Sequence, residues 1–83
     1  MDAERQGDAV VLRLSYAEMV TLHETLAYSE WAGTRAALEL RDPVEEDVLS
    51  RVQITLHPLV TELGTPAYNE AVNAAWKALR SPK

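Results

Sequence analysis

The 83-residue sequence predicts an α+β domain, mostly helical, in which one N-terminal strand is followed by about three helices in the order β-α-α-α. Three observations carry the prediction. Val10, Leu12 and Leu14 alternate with Val11, Arg13 and Ser15. Ser15 and Glu18 then stand at the spacing of a helix capping box, and two further helix starts, Asp42-Pro43 and Thr65-Pro66, punctuate the rest of the chain.

Residues 1–8 are polar and acidic without apolar periodicity, and they read as a solvated, disordered tail before a single domain at 9–80 and a frayed end at 81–83. From Ala9 the alternation places Val10, Leu12 and Leu14 on one side of an extended chain, the mark of a strand with one buried face. Ser15 opens the first helix. Its hydroxyl accepts from the Glu18 amide while the Glu18 carboxylate reaches back to the Ser15 amide, and Leu14 with Met19 supplies the apolar staple across the cap.

The first helix runs from Tyr16 at least to Trp31. Met19, Leu22, Leu26, Ser29, Gly33, Ala36 and Leu40 keep three-four spacing, which suits one continuous helix; Gly33 as a terminator followed by a second short helix suits the same residues. The second helix starts at Asp42, with Pro43 in its first turn. Val44, Val48, Val52, Leu56 and Val60 recur every four residues, and Leu49, Leu59 and Leu63 widen that apolar face. Arg51 to His57 also alternates, as a strand would, but over three apolar positions only, so helix is preferred up to a kink or break at Pro58. Gly64, Thr65 and Pro66 close this helix and open the third, which runs from Pro66 to about Arg80 with Tyr68, Val72, Ala75, Trp76 and Leu79 on its core side.

Composition bounds the function. With 47% hydrophobic and 25% charged residues the chain has the make-up of a folded protein, and its lack of cysteine removes disulfides and thiolate metal sites as supplements to a small core. Association with another chain is the remaining supplement. The net charge of −5 disfavours nucleic acid as a partner and suits a protein with a basic surface. The longest uninterrupted apolar run, Ala9 to Leu12, is far too short to span a membrane, and the polar amino terminus is neither a secretory nor a transit signal, so a cytoplasmic location is expected. Six arginines against two lysines, with abundant alanine, fit a GC-rich bacterial coding sequence.

No catalytic signature emerges. His23-Glu24 begins like the zinc-protease helix motif, but the position one turn on is Ala27 instead of histidine, and two histidines without cysteine do not make a metal site. His23 reads as a surface or interface histidine; His57 has less support still. The acids Asp42, Glu45, Glu46 and Asp47 lack the alternating order and glycine turn of a calcium loop, and Gly7, Gly33 and Gly64 are too far apart for a phosphate cradle. The expectation is therefore no catalytic residue, no metal and no cofactor.

What remains is association. A strand without a partner leaves its backbone groups unpaired, and the economical partner is the same strand of a second copy, giving a homodimer interface at Val10, Val11, Leu12, Arg13 and Leu14. Tyr28 and Trp31, one turn apart, either complete a small core or anchor another protein. The leading function is a noncatalytic protein-interaction module or small regulator acting as a homodimer. An alternative is a helix-turn-helix DNA-binding regulator reading through Asn69, Asn73, Lys77 and Arg80 of the third helix, and a third is an enzyme or accessory using His23.

Overall fold

The computed structural model describes residues 1–80; the expected frayed end at 81–83 lies outside them. Two strands open the chain, β1 (Asp2–Gln6) and β2 (Ala9–Arg13). Three helices follow, α1 (Tyr16–Trp31), α2 (Pro43–Leu56) and α3 (Tyr68–Arg80), with short 3-10 turns at Arg35–Leu38 and His57–Leu59. The mostly helical α+β class is as expected. The strand count is not, because two strands stand where one was predicted.

β1 is the segment expected to be a solvated tail. It pairs antiparallel with β2, Asp2 opposite Arg13, Ala3 opposite Leu12 and Gln6 opposite Ala9. The reason is local. Gly7 and Asp8 form a two-residue loop in which Gly7 takes φ +64° and Asp8 does not enter positive φ, the pattern of a tight hairpin turn whose twist matches the flanking strands. On one face Arg13 lies 3.1 Å from Asp2 and 3.0 Å from Glu4, so the polar composition of β1 is used for cross-strand ion pairing. Pairing within the chain thus occupies one edge of β2. Its apolar residues are not covered: Val10 and Leu12 are exposed, and only Leu14, past the end of β2, packs on the core.

The junction into α1 is as read from the sequence. The Glu18 amide donates to Ser15 Oγ at 3.0 Å and the Ser15 amide to the Glu18 carboxylate at 2.8 Å, which holds that carboxyl below its usual range. Of the two readings of Gly33, the structure takes the terminator. Gly33 adopts φ +72°, its amide donates to Glu30 O and the Thr34 amide to Ser29 O, the paired bonds of a Schellman ending.

Asp42 caps α2 together with Glu45, as expected, and the Arg51–His57 segment is helical up to Leu56. Val60, beyond the break at Pro58, joins the core with Met19, Val20, Val72 and Ala75. That core lies between α1 and α3. α3 starts at Tyr68, not at Pro66, because Pro66 belongs to a turn in which the Thr65 hydroxyl accepts from the Ala67 amide at 3.2 Å. Trp76 and Leu79, assigned to its core side, are exposed.

α2 is the exception to this packing. None of its residues is buried. No helix among the described residues is long and apolar enough to cross a membrane.

Candidate functional site

Two places on the molecule gather unusual side chains. The first is a cavity of about 440 Å³ where α1, the His57–Leu59 turn and α3 meet, lined among others by His23, Glu24, Trp31, His57 and Tyr68. His23 is 1% exposed, which corrects its expected place at the surface. Its position one residue past Leu22 turns it toward His57 at the start of the 57–59 turn, a long-range approach that helical spacing does not record. Nε2 of His23 lies 3.4 Å from Nδ1 of His57. Nδ1 of His23 is buried without a partner, so the proton belongs on Nε2, donating to His57, because that tautomer leaves only a lone pair unpartnered.

Burial lowers the pKa of His23, and the neighbouring His57 lowers it further against the opposing pull of Glu24. Tyr68 approaches the His23 ring edge-on at 6.5 Å and donates its hydroxyl to Glu24 Oε1. Burial first, and then this bond, push the phenol well above its ordinary value. What this cluster offers is a buried, neutral imidazole on His23 whose Nε2 proton is directed at Nδ1 of His57. No Ser, Thr or Cys lines the cavity to serve as a nucleophile, and among the described residues no group of three His, Cys, Asp or Glu side chains stands ready for a metal.

The second place is α2 and its surroundings. Arg35, in the turn after α1, is 5% exposed. Its Nε donates to Ser29 Oγ at 3.1 Å, one terminal nitrogen reaches Glu46 at 2.7 Å and Ser50 at 3.3 Å, and the other reaches Gln53 at 3.1 Å and the carbonyl of Leu26. A buried guanidinium requires acceptors around its whole fork. Glu46, Ser50 and Gln53 recur along one side of α2 and supply them. The polar stripe of α2 is therefore the side that faces its own chain.

The consequence is an inverted helix. The periodic row Val44, Val48, Val52 and Leu56, expected to be the core side, starts in solvent: Val44 is 56% exposed and Val48 50%, with Val52 and Leu56 half-buried. Ile54, off this row, is 70% exposed. Val10 and Leu12 of β2 line a shallow groove with Val48, Arg51, Val52, Thr55 and Leu56. A face of one strand and one helix is thereby left with apolar side chains and little to cover them.

The other predicted site residues are spread out. Val11 is half-buried, Arg13 is engaged with Asp2 and Glu4, and Leu14 is part of the core margin. Tyr28 and Trp31 are both exposed, Trp31 at 84%, with ring centroids 6.2 Å apart, so they do not complete the core. Asn69, Asn73, Lys77 and Arg80 are exposed along α3 as expected. The connection between α2 and α3, however, runs from His57 to Ala67 through a 3-10 turn, where a helix-turn-helix joins its helices by three or four residues.

Arg35 and the pairing of His23 with His57 were not anticipated from the sequence. Neither has a local signal, since a charged residue in a turn is ordinarily solvated and both contacts are made across elements. No family model, curated protein or solved structure matches the chain.

Proposed function

We propose that this chain is a noncatalytic protein-interaction module, a small regulator or adaptor that acts as a homodimer. The observation that carries the reading is surface left over. The chain exposes 6376 Å², whereas a compact monomer of its size exposes about 4,900 Å². Its radius of gyration is 14.1 Å, against about 11.8 Å for a compact domain of this length. The excess of about 1,500 Å² is in the range that each partner buries in an obligate homodimer. Support also comes from the small core, whose buried residues lie mainly between α1 and α3.

The strand-based dimer first suggested by the sequence loses its premise of an unpaired strand, since β1 already pairs with β2. The open edge of β2 and the α2 face beside it carry the association instead. With a net charge of −5, a further protein partner of this dimer is best matched by a basic surface. Light scattering over the micromolar range tests the reading. A dimer mass is expected, and a monomer throughout overturns it.

A further inference from the structure

We infer that the exposed face of α2 is covered by the α2 face of a second copy, the two helices running antiparallel across a two-fold axis with Asp47 of each protomer against Arg51 of the other. This deepens the homodimer reading and rests on it. Three features of α2 converge on this partner.

The first is the inversion of the helix. Glu46, Ser50 and Gln53 are committed inward to Arg35, so the side turned outward is the one that carries Val44, Val48, Arg51 and Thr55. These positions follow one another at four, three and four residues, the spacing of a seam that packs against another helix. A surface helix that had only water to face would place its polar stripe outward.

The second is charge. α2 carries Glu45, Glu46, Asp47 and Arg51. Glu45 accepts from the Arg41 and Asp42 amides at the cap, at 2.6 and 3.0 Å, and Glu46 is paired with Arg35. Among the described residues Asp47 and Arg51 make no ion pair or hydrogen bond, even though they stand one turn apart. One free anion and one free cation flanking an apolar row are self-complementary: reversed against a copy, each meets its opposite. The acidic remainder of the chain, at −5, disfavours self-association elsewhere on the surface, and this face is neutral.

The third is area. The excess surface is a property of the whole chain, to which the exposed Val44, Val48 and Ile54 of α2 contribute, and its size is what one side of an obligate dimer interface removes. In the antiparallel register Val44 lies opposite Thr55 of the partner and Val48 opposite the aliphatic stem of Arg51, whose guanidinium extends to Asp47. Val10 and Leu12, across the shallow groove, extend the apolar contact beyond the helix pair.

Sedimentation velocity on the full chain and four variants tests the inference, with circular dichroism to confirm helix content. Wild type is expected to be a dimer. Val48→Glu, which places two unpaired carboxylates in the seam, is expected to weaken the dimer by about 100-fold or more. Asp47→Arg and Arg51→Asp, each alone, are expected to weaken it by about tenfold, and the double reversal to restore it. A Val48→Glu protein that stays dimeric, or a double reversal no better than the singles, overturns the inferred face while the homodimer reading stands. A wild-type monomer overturns both.

Discussion

The α1–α3 pair and α2 are built from comparably apolar sequence and have opposite fates. α1 and α3 give Met19, Val20, Val72 and Ala75 to a common core, with His23 the buried polar side chain of that pair. α2 turns its polar stripe inward to Arg35 and leaves Val44, Val48 and Ile54 in solvent. An apolar row at helical spacing therefore does not by itself mark the side that a helix turns to its own chain. In this molecule a single buried guanidinium decides which side of α2 faces home.

The largest effects should divide along that line. Met19→Ala is expected to cost about 3 kcal/mol of stability through a cavity between α1 and α3. Arg35→Ala, which strips donors from Glu46, Ser50, Gln53 and the Leu26 carbonyl, is expected to cost a similar amount, about 3 kcal/mol. The two differ in where the loss is felt. Hydrogen exchange should rise throughout the core in the first variant and first in α2 in the second. Equal and uniform loss in both would erase the distinction between the halves.

A smaller effect belongs to the strand-to-helix junction. Ser15→Ala removes one side of the capping box and is expected to cost about 1 kcal/mol, read from the urea midpoint, with the slope of the transition unchanged. A loss below a few tenths would mean that the Leu14–Met19 packing alone fixes the entry into α1.

The histidine contact adds a pH dependence to the α1–α3 half. The pKa of His23 is lowered in the fold from its ordinary 6.5, so the unfolded chain takes up a proton first as the pH falls. The contribution of His23 is then complete above 6.5 and lost as the pH falls through the depressed value. Urea midpoints at pH 7.5 and 5.5, at one protein concentration, are expected to show lower stability at the acid end, with the difference reduced in His23→Leu. Glu18 and Glu62 are also lowered in the fold, but from an ordinary 4.5, so their loss falls in a more acid window. A midpoint that does not move between 7.5 and 5.5 would remove His23 from the account of stability.

The parts of the fold that were legible in the sequence are those made by neighbours. The Ser15–Glu18 and Asp42–Glu45 caps and the helical period of Val44 to Leu56 depend on residues a few positions apart, whereas Gly64–Pro66, expected to close the second helix and open the third, lies in the connection between Leu56 and Tyr68. The hairpin was equally local. Gly7-Asp8 is a two-residue turn signal, but the polar β1 beside it has no alternation to reveal a strand, and it is held by Arg13 from the far side of the turn. What was not legible depends on distant groups: His57 reaching His23, and Arg35 reversing the faces of α2. For α2 the period was right, but the direction held only toward Leu56 and failed at Val44 and Val48, because period alone does not say which neighbour a stripe meets.

Hydrogen exchange followed by mass spectrometry, repeated across protein concentrations, tests the central claim most directly. If α2 is covered by a second copy, the exchange of its amides slows as concentration rises, while that of α1 and α3 changes much less. Protection of α2 that is independent of concentration, at levels where light scattering should find a dimer, would contradict the claim.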